Sequence, residues 1–278
     1  MTSKFHPIGV FDSGYGGLTI LKEFLNDMPA YDFIYLGDNA RAPYGSRSFE
    51  VVYEYTLQAV KKLFEMGCPL VILACNTASA KALRSIQQND LPLIDPENRV
   101  LGVIRPAVET IGDFTLNGHI GILGTVGTVL SNSYPIELEK WAGGKVVQTS
   151  QEACPIWVPL VENNELDSPG TEYFVSKNIR NLLAADPEID SIILGCTHYP
   201  LLLPTIRKFV PDGIHLLEQG KVVSEKLVEY LNRHPEMDLK CSKTGIVKYY
   251  TTENEEVFER NAATFIGRSI KSEKIILK

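Results

Sequence analysis

The sequence has no hydrophobic run that could span a membrane and no basic cluster that could follow a phosphate backbone. The longest notable uncharged stretch, residues 119–136, contains four Ser or Thr residues and three glycines, which makes it too polar for a span. The formal net charge is -7, with 27 Lys and Arg against 34 Asp and Glu. We therefore expect neither a membrane nor a nucleic acid as a partner.

Cysteine is scarce and is not spaced for a structural role. The five cysteines are an odd number, and no two of them form a C-x-x-C pair, which argues against a disulfide framework and a structural zinc site. We expect no metal. Residues 1–10 contain no apolar run of the kind found in a secretory signal. We expect a cytoplasmic protein with free thiols.

Short apolar runs alternate with helical patterns along the 278 residues, a length typical of about two domains. This alternation predicts an α/β fold with largely parallel sheets. In such sheets ligands bind beyond the carboxyl ends of the strands, so residues directly after the apolar runs are the functional candidates. Strands are predicted at residues 7–11, 33–36, 70–73, 100–104, 120–123, 146–148, 192–194, 214–217 and 246–250.

A weak internal repeat links the two halves of the chain. Residues 8–14 resemble residues 120–126, and residues 70–77 resemble residues 191–198 in the same order. Two related α/β units are the simple explanation. Alternatively, any two strand-to-helix turns look somewhat alike.

Each repeat places a cysteine directly after an apolar strand, Cys75 in the first and Cys196 in the second. A thiol just before a helix N-terminus lies in positive potential, and exposed amides can hydrogen-bond its thiolate, so a lowered pKa is expected. A single cysteine beside an apolar strand is usually a packed core residue. Two in matched positions favour chemistry. The other three, Cys68, Cys154 and Cys241, lack this setting and are interpreted as structural or incidental.

Other polar residues also follow predicted strands. Asp12 begins the segment Asp-Ser-Gly-Tyr-Gly-Gly at 12–17. Its glycines and the following helix N-terminus could bind an anion, but the segment lacks the lysine of a phosphate loop. Glu162 follows an apolar run, and His198 stands two residues after Cys196. Taken alone, these residues are typical of a helix cap, a helix-face charge and a surface histidine.

Two thiols in mirrored settings suit either a redox pair or two-base proton transfer at a carbon, with one thiol on each face. For the second reaction, Ser13, Asn76, Thr77 and Thr197 could hold carboxylates and an ammonium group. The residues alone leave both possibilities open.

Taken together, five motifs resemble those of bacterial glutamate racemases, in order from residue 8 to about residue 204. They are Asp-Ser-Gly at 12–14, Pro-Tyr-Gly at 43–45, Ala-Cys-Asn-Thr-Ala-Ser at 74–79, Val-Pro-Leu-Val-Glu at 158–162 and Gly-Cys-Thr-His-Tyr-Pro at 195–200. The resemblance implies a cofactor-independent interconversion of L- and D-glutamate that supplies peptidoglycan synthesis, and hence cell-wall biogenesis and cell shape. It implies two pseudo-symmetric α/β domains, placed at residues 1–98 plus 213–278 and at residues 99–212, with the active site in the cleft between them. A homodimer is expected.

The resemblance also implies residue roles. Cys75 and Cys196 would be the catalytic thiols, with Asp12 assisting the first and Glu162 and His198 assisting the second. The paired threonines Thr125 and Thr128 would bind the side-chain carboxylate. The complete expected set of substrate contacts is Asp12, Ser13, Tyr44, Gly45, Asn76, Thr77, Thr125, Thr128, Thr197 and His198.

The chain departs from the family pattern at Arg105, where a glutamate is frequent, and at Glu218-Gln219, where an Asp-Ser-Gly-like stretch is usual. Neither change touches a thiol. The alternatives are a racemase for aspartate or another amino acid, a thiol-redox enzyme and a non-catalytic amino-acid-binding module. Composition alone does not exclude pyridoxal phosphate, although the resemblance argues against it.

Overall fold

The computed structural model of the protein describes residues 5–142 and 144–278, so residues 1–4 of the predicted first domain lie outside the described residues. The strands are β1 Ile8–Asp12, β2 Phe33–Gly37, β3 Leu70–Leu73, β4 Arg99–Gly102, β5 His119–Gly124, β6 Gln148–Ala153, β7 Ser191–Gly195, β8 His215–Leu217, β9 Val247–Thr251 and β10 Ser272–Lys274. The helices are α1 Gly17–Asp27, α2 Phe49–Glu65, α3 Asn76–Lys81, α4 Leu83–Ser85, α5 Leu91–Ile94, α6 Ile104–Ile111, α7 Val126–Leu130, α8 Ser133–Trp141, α9 Trp157–Glu162, α10 Pro169–Ala185, α11 Leu203–Arg207, α12 Gln219–Arg233, α13 Pro235–Lys240 and α14 Glu255–Ile266.

The strands form two sheets, and every strand pair in them is parallel. The first sheet has the order β10-β9-β2-β1-β3-β4, and the second has the order β6-β5-β7-β8. The order β2-β1-β3-β4 therefore recurs as β6-β5-β7-β8, which matches the repeated segments of the sequence. The predicted α/β fold with largely parallel sheets is confirmed.

Sheet membership differs in two places from the predicted domain ranges. Strand β4 pairs with β3 in the first sheet, although it begins at residue 99, the predicted start of the second domain. Strand β8 pairs with β7 in the second sheet, although residues 213–278 were expected in the first domain. The division of the chain into domains stays a prediction. Sheet membership indicates that the chain leaves the first sheet after β4 and returns to it after β8.

The central strands are buried on both faces, which explains their continuous apolar sequences. Every residue of β1, β3 and β7 is buried. The predicted strand at residues 146–148 is wrong, because β6 begins at Gln148 and runs to Ala153. This edge strand is largely half-buried and carries polar residues, so it lacks the apolar signal.

Local capping explains where the second helix begins and ends. Ser48 accepts a hydrogen bond from the amide of Val51 at 3.3 Å and caps α2, as its sequence position suggests. Gly67 has a φ of +92° just beyond the helix, a conformation that favours glycine. Among the described residues, no helix is long and apolar enough to cross a membrane.

Candidate active site

A pocket lies where the carboxyl ends of strands from both sheets meet. Eleven predicted site residues line it: Ser13, Tyr44, Gly45, Cys75, Asn76, Thr77, Thr125, Glu162, Cys196, Thr197 and His198. The structure thus brings together residues that are up to 185 positions apart in the chain (13 to 198).

Cys75 lies in the turn after strand β3 and is the N-cap residue of helix α3. Its Sγ accepts a hydrogen bond from the amide of Ala78 at 3.4 Å and lies 3.4 Å from the hydroxyl of Ser13. Burial, followed by the charge of Asp12, raises the pKa of the Cys75 thiol to about 12, although the bonds to Ser13 and Ala78 oppose this rise. The lowered pKa expected from the helix N-terminus is therefore wrong for Cys75, because burial outweighs the short helix.

Asp12 ends strand β1 and is buried, with one carboxylate oxygen bonded to the amide of Gly14 at 2.8 Å. None of the described residues donates a hydrogen bond to its other oxygen, Oδ1. Burial raises the pKa of Asp12, although the cation of His198 and nearby amides pull it down. Asp12 is not among the residues that line the pocket, so its predicted contact with substrate stays a prediction.

The second thiol begins a chain of three functional groups. Cys196 Sγ lies 3.9 Å from His198 Nδ1, and His198 Nε2 lies 2.9 Å from Glu162 Oε1. Burial lowers the pKa of His198, but the bonds to Cys196 and Glu162 outweigh it and raise the pKa to about 10. A protonated His198 is therefore placed between a carboxylate and Cys196, where it can stabilise a thiolate.

Hydrogen-bonded threonine hydroxyls link the segment after β3 in the first sheet to the segment after β5 in the second. The hydroxyls of Thr77 and Thr125 lie 2.9 Å apart, and those of Thr125 and Thr128 lie 3.1 Å apart. Thr128 is fully buried and does not line the pocket, so it supports Thr125. Beside them, the amide of Gly127 donates a hydrogen bond to the carbonyl of Gly45 at 2.7 Å.

The loop between β1 and α1 touches the residues that follow β7. An ideal Cβ built on Gly16 would lie 2.1 Å from Thr197 Oγ1 and 2.5 Å from His198 Nδ1. The backbone of Gly16 is right-handed helical, with φ -58° and ψ -36°. The absence of a side chain, rather than an unusual backbone conformation, is therefore what this position requires.

Sequence analysis assigned no role to the rest of the pocket lining, namely Ala42, Pro43, Ser46, Val126, Cys154, Pro155, Val158 and Pro159. Cys154 directly follows β6, and its amide donates to the carbonyl of Gly124 at 2.8 Å. A strand predicted at residues 146–148 leaves Cys154 away from any strand end, which is why the sequence indicates a structural cysteine. Because β6 instead ends at Ala153, Cys154 directly follows a strand, as Cys196 does. Burial raises the pKa of Cys154 well above its usual range.

The two departures from the family pattern lie in different surroundings. Arg105 stands on the exposed side of α6, where it pairs with Glu109 at 2.7 Å and stacks on Trp141. Gln219 is buried and bonds to Asn76. In the part of the chain that the structure describes, no group of three or more His, Cys, Asp or Glu is arranged to hold a metal ion. The expectation of no cofactor stays a prediction.

Comparison with known proteins agrees with this geometry. The sequence model of the Asp/Glu/Hydantoin racemase family matches residues 20–227. A glutamate racemase of Persephonella marina is 38% identical over 271 residues, which cover 97% of each chain. The crystal structure of a glutamate racemase isoform from Bacillus anthracis is similar with a TM-score of 0.88 and 31% identity, covering 98% of each chain. The glutamate racemase of Francisella tularensis in complex with D-glutamate has a TM-score of 0.86 and 29% identity, again over 98% of each chain. With matches over nearly its whole length and both Cys75 and Cys196 lining one pocket, the chain belongs to the Asp/Glu/Hydantoin racemase family and, within it, to the glutamate racemases.

Proposed function

We propose that the protein interconverts L- and D-glutamate without a cofactor, by two-base proton transfer at the α-carbon. The observation that carries this proposal is that Cys75 and Cys196 line one pocket from matched strand ends of two sheets with the same strand order. The relative from Francisella tularensis, which is described in complex with D-glutamate, supports the choice of substrate.

Each thiol is the base for one enantiomer and the acid for the other. At neutral pH Cys75 is a protonated acid, because its pKa is raised to about 12. Cys196 Sγ lies 3.9 Å from His198 Nδ1, and we assign it the role of base toward L-glutamate. With L-glutamate, the Cys196 thiolate removes the α-proton, and the C–H electron pair moves toward the α-carboxylate. The Cys75 thiol then protonates the opposite face of the carbon, so the step needs no oxidant or reductant.

From D-glutamate the roles reverse: the reaction starts from the form that turnover of L-glutamate leaves, with Cys75 as the thiolate base and Cys196 as the thiol acid. We assign Asp12 to assist Cys75, and Glu162 with His198 to assist Cys196. The unpaired Oδ1 of Asp12 supports the first assignment, since a buried carboxylate oxygen without a donor can accept a proton or an ammonium group. The 2.9 Å contact between His198 and Glu162 supports the second.

Two general acid–base groups supply only about 10²–10⁴-fold each, which is too little for so weak a carbon acid. Hydrogen-bond donors at the α-carboxylate must stabilise the enolate-like transition state. Ser13, Asn76 and Thr197 are the pocket groups that we assign to this task, and Thr77 with Thr125 would hold the side-chain carboxylate. We further propose that the two sheets belong to separate domains that close over the substrate and exclude water.

The test is circular dichroism of the purified protein with each glutamate enantiomer and no added cofactor. We expect racemisation by the parent and none by Cys75→Ser or Cys196→Ser, because a serine hydroxyl is too weak an acid to form the base at neutral pH. Each variant should still eliminate a leaving group at C3 from one enantiomer of a glutamate analogue, with opposite preferences. Full racemisation by either variant would remove that cysteine from the mechanism.

Further measurements separate the competing functions. A thiol-redox enzyme would form a reversible disulfide between Cys75 and Cys196, detectable by thiol labelling under oxidising and reducing conditions. A binding module would be stabilised by glutamate without exchanging its α-hydrogen for deuterium from solvent. A racemase for aspartate would show its highest kcat/KM with that substrate.

The cellular setting follows from this function. We propose that the protein supplies D-glutamate for peptidoglycan synthesis and works in the cytoplasm, since its mechanism needs two free thiols and a reducing compartment preserves them. A homodimer is the assembly that the family resemblance implies. Light scattering during size-exclusion chromatography would test it, and a monomer at assay concentration would refute it.

A further inference from the structure

Gln219, the first residue of α12, is buried at 2% exposure beside the pocket residue Asn76. Three hydrogen bonds join these two residues and Tyr134 in a ring. Asn76 Nδ2 donates to Gln219 Oε1 at 2.7 Å, Gln219 Nε2 donates to the Tyr134 hydroxyl at 2.6 Å, and that hydroxyl donates to Asn76 Oδ1 at 2.7 Å. Each member of the ring therefore donates once and accepts once within it.

The ring alone could run in either sense, with both amides reversed. The carbonyl of Val103 fixes its direction, because a carbonyl only accepts and it lies 3.4 Å from Gln219 Nε2. A reversed Gln219 would place two oxygens against each other there. Since the direction is fixed, Asn76 Nδ2 donates one hydrogen to Gln219, and none of the described residues accepts its second hydrogen, while Asn76 itself lines the pocket.

The ring also spans the two halves of the fold. Asn76 follows β3 of the first sheet, whereas Tyr134 packs in a core cluster with residues of β5 and β7 from the second sheet. Helix α12, which Gln219 begins, contacts both α1 and α6. Because all three side chains are buried, losing one member leaves the others with unpaired polar groups in a low-dielectric site.

We propose that Gln219 is a positioning residue of the racemase: with Tyr134 it holds the Asn76 carboxamide so that one N–H faces the carboxylate that takes up charge in the transition state. This inference rests on the proposed function. It gives a role to Gln219, which stands where the sequence departs from the family pattern. A serine at this position is too short to make these contacts without a bridging water.

The decisive variant is Gln219→Met, which keeps the length of the side chain and removes both polar atoms. We expect kcat to fall by about 10–100-fold in both directions, since a preorganised donor to developing charge is worth about 10²–10³-fold, and KM to change less than about threefold. Gln87→Met is the control. It makes the same substitution at an exposed glutamine whose side-chain amide donates to the carbonyl of Val100 at 2.7 Å, away from this pocket, and it should keep the parent kcat.

A purely structural role would give a different pattern. In an Asn76→Ala background, Gln219→Met should lower kcat by less than about threefold, because its effect passes through Asn76. An undiminished loss in that background, or a parent-like kcat in Gln219→Met alone, would overturn the proposal. Tyr134→Phe provides a second variant with the same expected pattern if Gln219→Met fails to fold.

The side-chain amide signals of Asn76 in a nitrogen–proton NMR spectrum test the positioning separately from turnover. We expect one slowly exchanging N–H in the parent, and faster exchange and altered shifts in Gln219→Met. Unchanged Asn76 signals would overturn the positioning role even if kcat fell. A parent protein that shows these signals but does not racemise glutamate would instead refute the proposed function.

Discussion

Gly16 offers a direct test of how the two halves of the site meet, because a single methyl group added there would clash with Thr197 and His198, which we assign to the site. Its right-handed helical backbone accepts alanine without strain, so Gly16→Ala changes little except the space that the residue fills. The new Cβ would lie 2.5 Å from His198 Nδ1 and 2.1 Å from Thr197 Oγ1, whereas ordinary contacts begin at 3.4 Å. His198 must therefore move by about 0.9 Å and the Thr197 side chain by about 1.3 Å, or the loop must move by the larger of these distances.

A displacement of about 1 Å at a catalytic group can cost about 10²-fold in rate. We therefore expect Gly16→Ala to lower kcat about 100-fold, with a loss of about 1–3 kcal/mol in the free energy of unfolding from overpacking. Initial rates of racemisation by circular dichroism give the first quantity, and denaturant titration gives the second.

Gly170→Ala is the matched control, because its Cβ would meet only Ser168 Oγ, at 3.6 Å, within helix α10. Its kcat should equal that of the parent, with equal or slightly higher stability. A folded Gly16→Ala variant with kcat within threefold of the parent would refute the reasoning, since the close approach of the loop to His198 would then not control the reaction.

Glu162→Gln is expected to lower the pKa of His198, because Glu162 is one of the groups that raise it from 6.5 to about 10, and an NMR titration of the imidazole would measure the change. Since the folded pKa of His198 exceeds the unfolded value, this histidine contributes stability that is fully present below about pH 6.5 and is lost as the pH rises toward 10. The parent should therefore lose thermal stability over that pH range more steeply than Glu162→Gln. Identical pH profiles of thermal stability would contradict the ion pair between His198 and Glu162. Asp12→Asn should lower kcat more from saturating D-glutamate, and His198→Asn more from saturating L-glutamate, because we propose that each assists the thiol that is the base for that enantiomer. Initial rates that show the reverse order would exchange the two assignments.

The thiols could be located from sequence because apolar runs mark buried parallel strands. The runs at residues 70–73 and 192–194 end just before Cys75 and Cys196. Parallel strands gather their carboxyl ends at one edge of a sheet, so residues distant in sequence were expected to meet there. The observed pocket brings both thiols together.

The features that escaped sequence analysis depend on long-range packing. Cys154 was missed because β6 is a polar edge strand without an apolar pattern. The raised pKa of Cys75 depends on how completely the folded chain buries the thiol. The contact between Asn76 and Gln219 joins side chains 143 residues apart, and nothing in the spacing of either segment indicates it.

The unlike surroundings of the two thiols have a consequence for the kinetics. Two enantiomers have the same free energy in water, so their interconversion has an equilibrium constant of one. Thermodynamics then requires equal kcat/KM in the two directions, even though Cys75 lies near Asp12 and Ser13 whereas Cys196 lies near His198 and Glu162. An enantiomer with the lower KM must therefore turn over more slowly by the same factor. The difference between the two halves of the site can change the fractions of free and substrate-bound enzyme during turnover. It cannot favour one enantiomer as the product.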